Sequence, residues 1–316
     1  MRVLVVMNFG PDPETPQRGR WVVDQVDALR SDGIDAELFT FQPGKDQYLP
    51  ATRRLRSLLR AEDFDLVHAH YGLAGWCALA AGASPLVVTF HGTDVRHGVV
   101  GPASRLLSKR IALGAGASAA LFKEEAGRPG LPLIPGRNAV LPCGADLSRF
   151  RPGSRTEARD RLGLDPDRRY LFFPADPDRP EKRVDRAREV AAKAGVELLT
   201  GGGIEPDRMS TWMNAADAVV VTSDYEGFGL AFLESLACEV PVLTTPVGIA
   251  PSLLRSLPNS LCAAYDLNTW SSFVGSLLRD PDPRTPGRAR AEALSAERMA
   301  VRVRIAYEQV LGQERP

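Results

Sequence analysis

The sequence predicts an α/β protein with two doubly wound parallel sheets. Short apolar, β-branched runs alternate with segments whose apolar residues recur at helical spacing, and this alternation occurs in two series. A segment rich in proline, glycine and arginine, LPCGADLSRFRPGSR, separates the two series. The chain of 316 residues is long enough for two Rossmann-like domains of this kind. We therefore expect one domain at 1–150, a second at 151–290 and a helical segment at 291–316.

The composition argues against several classes of protein. The formal net charge is zero, and the chain has neither a basic footprint nor an acidic tail, so we expect no nucleic-acid partner. The start, MRVLVVMNFG, has the pattern of a buried strand rather than a signal peptide, and no stretch is long and apolar enough to span a membrane. The four cysteines lie singly, as is typical of free thiols in a reducing compartment. These features together predict a cytoplasmic protein.

In the first series, the apolar runs predict five strands: Val3 to Met7, Ala36 to Phe41, Leu66 to His70, Leu86 to Phe90 and Ala117 to Leu121. Helical spacing follows the first at Trp21 to Ser31 and the third at Leu73 to Ala81. No GxGxxG motif follows the first strand, which argues against an NAD-binding domain.

Polar residues follow two strands of this series. His68 and His70, in VHAHYG, alternate along a strand end and therefore point the same way, while His91 and Asp94, in FHGTD, follow the strand VVTF. Ligands of open α/β sheets bind beyond the carboxyl ends of the strands. A metal site at the histidine pair would need a third ligand that the sequence does not offer, so we favour structural or acceptor-side histidines and expect no metal. Asp94 either contacts a substrate or caps the following turn.

The second series predicts a further alternating set of strands and helices at Tyr170 to Pro174, Val184 to Ala194, Val196 to Thr200, Met209 to Ala215, Ala218 to Ser223, Leu230 to Ala237 and Pro241 to Thr245. Its most informative part is the strand and helix joined by DYEGFG. A helix that starts at Gly227 to Leu230 presents unpaired N–H groups and its positive dipole end to a diphosphate or a sugar hydroxyl. Glu226 and Glu234 can accept hydrogen bonds from sugar hydroxyls, although either could instead lie on a solvated helix face.

The block VTSDYEGFGLAFLESLACEVPVLTTPVG resembles the signature of the family 4 glycosyltransferases. This resemblance implies the two-domain GT-B fold, in which two Rossmann-like domains face one another across a cleft, and transfer of a sugar from a nucleoside diphosphate sugar with retention of anomeric configuration. It implies that Glu234 holds the ribose, that Glu226 and His91 contact the transferred sugar, and that no cofactor or metal is required. The donor contacts implied at the helix start are Gly227, Phe228, Gly229 and Leu230.

A basic loop, ADPDRPEKRVD, resembles the family segment that neutralises the donor diphosphate. Lys182 matches the family lysine, and it stands out because lysine is rare in this chain. Asp176 and Pro177 fill the positions of the usual arginine, so we assign that role to Arg179, as in the similar loop of teichuronic-acid-type transferases.

The segment between Lys182 and Glu226 is shorter than in most relatives, which implies a shortened nucleotide-binding domain and puts the usual base contacts in doubt. We place the nucleotide at Gly201 and Gly202, in a glycine run that could instead be only a flexible loop.

Two further regions carry implications of the same resemblance. Gly19, in PDPETPQRGRW, resembles the glycine by which the N-terminal domain approaches the donor phosphates and the acceptor, and Arg18 and Arg20 add charge there. The last helix, at about 291–311, resembles the family helix that packs back on the N-terminal domain.

The sequence therefore predicts a glycosyltransferase that moves a sugar to an acceptor hydroxyl or amine, in antibiotic or cell-surface glycan biosynthesis. The acceptor is expected to be a small molecule or a lipid-linked glycan. The basic amphipathic stretches RRLRSLLR and RLLSKRI are either solvated helix faces or sites of weak peripheral contact with a membrane. Two alternatives stay open: a catalytically degenerate subunit that binds nucleotide sugar, and a nucleotide-sugar epimerase of the same fold.

Overall fold

The structure is a computed structural model that describes residues 1–10, 18–96, 98–124 and 127–313. The chain divides into two compact units, one formed by Met1–Gly144 with Ala296–Pro316 and the other by Ala145–Ser295. The loop PDPETPQ and the final residues 314–316, which belong to segments discussed above, lie outside the described residues. In the part of the chain that is described, no helix is long and apolar enough to cross a bilayer.

The first unit contains a parallel six-stranded sheet in the order β2-β1-β3-β4-β5-β6. Its strands are β1 Arg2–Met7, β2 Asp35–Thr40, β3 Leu66–His70, β4 Leu86–Phe90, β5 Leu113–Gly116 and β6 Asn138–Val140. The helices that connect them are α1 Arg20–Ser31, α2 Tyr48–Ala61, α3 Gly72–Ala81, α4 Thr93–Arg96 and α5 Val100–Leu107. Strands β3 and β4 are buried along their whole length, which explains their continuous apolar sequence.

The second unit contains a parallel five-stranded sheet in the order β11-β10-β9-β7-β8. Its strands are β7 Tyr170–Phe173, β8 Glu197–Thr200, β9 Ala218–Val221, β10 Val242–Thr244 and β11 Leu261–Cys262. Its helices are α6 Arg155–Leu162, α7 Val184–Ala194, α8 Met209–Ala215, α9 Leu230–Ala237, α10 Ala250–Leu253, α11 Leu267–Leu277 and α12 Arg288–Glu292. The predicted α/β class with two parallel sheets is confirmed.

One predicted strand was wrong. Residues Ala119–Phe122 form a 3₁₀ turn, and the strand of this region is β5, whose sequence LGAG comes earlier. Two glycines and the lack of a β-branched residue give β5 no strand pattern, whereas the following apolar residues imitate one. The short edge strands β6 and β11 were not predicted for a similar reason, because they contain only three and two residues.

The last helix, α13 Ala296–Gln313, follows α12 after a break at 293–295. Its apolar face packs against α1 in the core of the first unit, where Met299, Val303 and Tyr307 are buried. Arg304 Nε donates to Asp32 Oδ2 at 2.7 Å, just beyond the end of α1. The chain thus returns to its first unit after completing the second.

A buried carboxylate holds the second unit together. Asp217 is 0% exposed and forms ion pairs with Arg155 at 2.7 Å, Arg159 at 3.0 Å and Arg169 at 2.8 Å. Its Oδ2 also accepts the Tyr170 N–H at 2.8 Å, at the start of β7. One carboxylate therefore ties α6 to the amino ends of β7 and β9.

Candidate functional site

In the second unit, the candidate site is built around the start of α9. Gly229 precedes the helix with φ 99°, and a Cβ there would lie 2.1 Å from the Phe232 ring, so only glycine fits. Gly248 is also required, because a Cβ there would lie 2.2 Å from the carbonyl oxygen of Phe228. Within the described parts of the chain, no side chain caps the start of α9. The helix start at Leu230 is therefore suited to an anionic or hydroxyl-bearing ligand.

Lys182 and Glu226 meet beside this helix start. Lys182 Nζ lies 2.6 Å from Glu226 Oε1, and Ser223 Oγ donates to the same oxygen at 2.8 Å. Lys182 is only 9% exposed, in the short 3₁₀ turn Pro180–Lys182. The Thr222 hydroxyl lies within hydrogen-bond distance of the Lys182 and Arg183 carbonyls, at 3.0 and 2.7 Å. The structure thus brings together two residues that are far apart in sequence and holds their loops side by side.

Two arginines flank Lys182. The Arg179 side chain is 52% exposed and pairs with Glu181, with Nη2 2.5 Å from Oε1. Arg183 has a left-handed φ of 55° and pairs with Asp185 at 2.7 Å and with Asp224 at 3.3 Å. A non-glycine residue in this conformation stores strain, a feature that clusters at functional sites.

The glycine run after β8 packs against the start of the basic loop. A Cβ on Gly201 would lie 2.4 Å from the Pro174 carbonyl oxygen, and Gly202 has φ 87° and faces Pro177. The two loops at the carboxyl ends of β7 and β8 therefore approach each other closely. Packing between these loops explains why positions 201 and 202 are glycines. Glu234 lies one turn into α9 and is half-buried.

In the first unit, the predicted histidines form one cluster at the ends of β3 and β4. His70 Nδ1 lies 2.9 Å from His91 Nε2, and His68 Nε2 lies 2.8 Å from the Thr89 hydroxyl. His68 and His70 are fully buried, whereas His91 is half-buried. The centroid of the His91 ring lies 4.7 Å from that of Tyr71 and 6.0 Å from that of Trp21. His91 is therefore the cluster member that a ligand can reach.

Asp94 fixes the loop that carries His91. Its Oδ1 accepts the N–H groups of His91 at 3.0 Å and Gly92 at 2.9 Å, and its Oδ2 accepts the Gly72 N–H at 3.0 Å. Both carboxylate oxygens are thus occupied by backbone donors. Asp94 was expected either to contact a substrate or to cap the turn, and these hydrogen bonds are those of a capping residue.

Gly19 lies directly before α1. It has φ 69°, and a Cβ there would be 1.7 Å from the Phe9 carbonyl oxygen, so the position excludes every other residue. The Arg18 guanidinium stacks over the Phe9 ring at 4.1 Å, and Arg20 pairs with Asp24 at 2.8 Å. This glycine brings the α1 start against the end of β1.

Among the described residues, no group of three or more histidine, cysteine or acidic side chains is arranged to hold a metal ion. Sequence patterns also missed several site residues: Gln25, Tyr71, Ser223 and Tyr307. Tyr71 has φ 72°, which no sequence pattern announces. Gln25 and Tyr307 come from helices whose contact with the histidines depends on packing.

The buried histidines make the first unit sensitive to acid. Burial lowers the pKa of His68 to about 3 and that of His91 to about 4, and it lowers the pKa of His70 as well. A group with a depressed folded-state pKa contributes stability above its unfolded pKa, near 6.5, and this stability is lost as the pH falls toward the folded value. Burial raises the pKa of Asp94 to about 6, so Asp94 makes the folded unit more stable as the pH falls. This effect of one carboxyl opposes the combined effect of three histidines.

We expect the free energy of unfolding of the first unit to fall between pH 7 and pH 4. The shift of His91 alone corresponds to a loss on the order of 3 kcal/mol. Hydrogen exchange of peptides that contain β3 and β4, corrected for the intrinsic exchange rate, measures the free energy of unfolding across this pH range. The dependence should be weaker in His91→Asn, and protection that stays constant from pH 7 to pH 4 would contradict the assignment of neutral histidines.

Comparisons with known proteins agree with this arrangement. Residues 2–149 match the family model Glycosyltransferase Family 4, and residues 157–293 match the model Glycosyl transferases group 1. A D-inositol 3-phosphate glycosyltransferase of Mycolicibacterium paratuberculosis is 30% identical over 278 residues, which cover 74% of this chain and 63% of that protein. The chain thus spans just under two thirds of the length of this relative.

Two solved structures show the same fold. A sucrose-phosphate synthase of Thermosynechococcus elongatus has a TM-score of 0.76 and 18% identity, with 99% of this chain and 100% of that chain covered. HepE of Anabaena, solved in complex with UDP and glucose, has a TM-score of 0.74 and 14% identity, with 98% and 100% covered. Because family models match both halves of the chain and each unit contains a parallel sheet, as the GT-B fold requires, the chain belongs to the family 4 glycosyltransferases, as its signature block predicted.

Proposed function

We propose that this protein is a retaining, metal-independent glycosyltransferase. It moves a sugar from a nucleoside diphosphate sugar to a hydroxyl or amine of an acceptor. The observation that carries the proposal is the pairing of Lys182 with Glu226 at 2.6 Å beside the start of α9. A cation, a carboxylate and uncapped helical N–H groups then lie together, which suits a ligand that has both a diphosphate and sugar hydroxyls.

In the reaction, the bond between the anomeric carbon and the β-phosphate oxygen breaks, and a bond from that carbon to the acceptor oxygen or nitrogen forms. Negative charge develops on the departing diphosphate, and Lys182 together with the start of α9 stabilises it. Arg179 is half-exposed and can add a second positive charge by releasing Glu181. The acceptor attacks the face of the sugar that the diphosphate leaves, so retention needs no protein nucleophile, and the departing phosphate oxygen takes the proton of the acceptor.

The remaining roles follow from chemistry and position. Glu226 orients the sugar once the diphosphate has taken its place beside Lys182, and Glu234 accepts hydrogen bonds from the ribose hydroxyls. The backbone of Gly227, Phe228, Gly229 and Leu230 contacts the donor, and Gly201 and Gly202 lie on the nucleotide side. His91 contacts the transferred sugar, Gly19 approaches the donor phosphates, and Asp94 and His70 support His91 on the acceptor side.

The setting is a further part of the proposal. We place the enzyme in the cytoplasm, in the biosynthesis of an antibiotic or of a cell-surface glycan, with a small-molecule or lipid-linked acceptor. Because the relative named above is a D-inositol 3-phosphate glycosyltransferase, inositol phosphate is the first acceptor to screen. The arginines of α2 would support weak contact with an anionic membrane.

Thermal unfolding with UDP, GDP, dTDP and ADP, each with and without magnesium, tests donor binding. A nucleotide present at about 100 times its dissociation constant should stabilise the protein by roughly 2.7 kcal/mol. We expect a selective shift that does not require magnesium. If no nucleotide raises the melting temperature, the proposal fails, and a shift without any transfer or donor hydrolysis would identify a degenerate binding subunit instead.

Replacing Glu234 with alanine should weaken nucleotide binding, because the ribose hydroxyls lose their acceptor. A hydrogen bond to a charged group contributes about 1.5–3 kcal/mol, so the dissociation constant should rise by roughly 10-fold to 100-fold. Isothermal titration measures the change. The matched control is Glu157→Ala, an exposed glutamate on α6 of the same unit, which should bind normally. Unchanged affinity in Glu234→Ala would remove the ribose role.

A further inference from the structure

Behind His91, the first unit contains an unbroken row of buried polar side chains. Tyr307 Oη lies 2.6 Å from His68 Nδ1, and Gln25 Nε2 lies between the two inner histidines, 3.5 Å from His68 Nδ1 and 3.4 Å from His70 Nε2. His70 Nδ1 then lies 2.9 Å from His91 Nε2. The row connects α13 to the loop after β4, and its members other than His91 are at most 7% exposed.

Tyr307 determines which atoms donate and which accept hydrogen bonds along the row. Its hydroxyl is fully buried, and among the described residues His68 Nδ1 is its only hydrogen-bond partner. A buried hydroxyl proton without an acceptor would be costly, so Tyr307 donates to His68 Nδ1. The neutral His68 ring therefore carries its proton on Nε2 and donates it to the Thr89 hydroxyl at 2.8 Å.

Each following proton position depends on the previous one. The Tyr307 hydroxyl occupies the one lone pair of His68 Nδ1, and an amide oxygen of Gln25 placed 3.5 Å from that electron-rich nitrogen would be repelled by it, so the Gln25 atom on this side is the amide nitrogen. This nitrogen donates a proton to His70 Nε2 at 3.4 Å. A neutral His70 then carries its proton on Nδ1 and donates it to His91 Nε2. His91 is left with its proton on Nδ1, the ring nitrogen that has no partner among the described residues.

We propose that Tyr307 and Gln25 act through His70 as positioning residues that fix His91 as the Nδ1-protonated tautomer. The use of this tautomer in catalysis rests on the proposed function. His91 then presents an N–H donor to the transferred sugar or to a phosphate oxygen. Because Nδ1 already carries a proton, it cannot act as the base that takes the acceptor's proton. This agrees with transfer of that proton to the departing phosphate.

The histidine tautomers can be measured directly. The chain has only four histidines, so two-bond proton–nitrogen correlation spectra of protein labelled with ¹⁵N-histidine give few signals, and His91→Asn identifies those of His91. We expect the His91 signals to show a protonated Nδ1 and an unprotonated Nε2 at neutral pH. A proton on Nε2 of His91 in the unmodified protein would overturn the proposal without any variant.

A second measurement tests the role of Gln25. Gln25→Met keeps the length of the side chain but removes the donor, so His91 should populate both tautomers, whereas Gln47→Met, at an exposed glutamine of the same unit, should leave it unchanged. We expect Gln25→Met to lower kcat by about tenfold, equivalent to 1.4 kcal/mol, with the KM for the donor near its original value. A His91 ring that stays wholly Nδ1-protonated in a folded Gln25→Met would refute the positioning role. The spectra need no turnover, so absence of sugar transfer would contradict the proposed function and leave the tautomer assignment standing.

Discussion

Replacing Lys182 with alanine should lower kcat for sugar transfer by about 10²-fold or more, the effect of losing one preorganised charge donor at the leaving group. The side chain is nearly buried and its ammonium group lies 2.6 Å from Glu226, so its position is fixed before the donor binds. Without Lys182, the Glu226 carboxylate would face the developing negative charge alone. Single-turnover kinetics with saturating donor would separate this loss from a change in binding.

Two further variants identify the origin of the loss. Lys193→Ala removes an exposed lysine of α7 and should have normal turnover, which controls for the overall change in charge. The double variant Lys182→Ala, Glu226→Gln removes both charges. If it recovered full activity, the loss in Lys182→Ala would come from the unpaired glutamate and not from leaving-group stabilisation, and the assigned role of Lys182 would be wrong.

Replacing Asp217 with alanine should destabilise the second unit by about 3–5 kcal/mol, the cost of removing one partner of a buried ion pair. Three guanidinium groups would be left close together without their carboxylate, and the Tyr170 N–H would lose its acceptor. Hydrogen exchange of peptides that contain β7 and β9 would report the opening free energy of this unit.

An exposed ion pair provides the control for this effect. Asp165 pairs with Arg168 at 3.5 Å, and both side chains are at least half-exposed, so Asp165→Ala should cost at most about 1 kcal/mol. Equal effects of the two substitutions would show that the Asp217 cluster is not a stabilising centre of the unit. Because Asp217 lies at the amino ends of the strands, nucleotide affinity of the folded Asp217→Ala protein should be unchanged.

The sequence predicted the parts of the fold in which local pattern and tertiary structure agree. The helices Val184–Ala194, Met209–Ala215 and Leu230–Ala237 have the predicted bounds, because their apolar spacing and the glycines or turns around them are local signals. Strand β5 was missed because its two glycines pack under Ser108 and Phe122, a tertiary reason that leaves no apolar pattern.

The candidate site could be predicted only in outline. The signature block marked Glu226 and Glu234, and the basic loop marked Lys182, but the contact between Lys182 and Glu226 depends on how two loops fold together. The row behind His91 is less predictable still, because His68 and Tyr307 are 239 positions apart in sequence. It forms because the register of β3 and β4 aligns His70 with Thr89 and because α13 returns to the first unit.

The anomeric configuration of the product tests the central claim most directly. The nucleoside diphosphate sugar that binds most tightly would be incubated with the enzyme and with methanol as a simple acceptor, since a methyl glycoside does not change its anomeric form in water. The coupling constant of the anomeric proton identifies the product by NMR. Retaining transfer predicts the methyl glycoside with the same anomeric configuration as the donor sugar, and the opposite anomer would contradict the account.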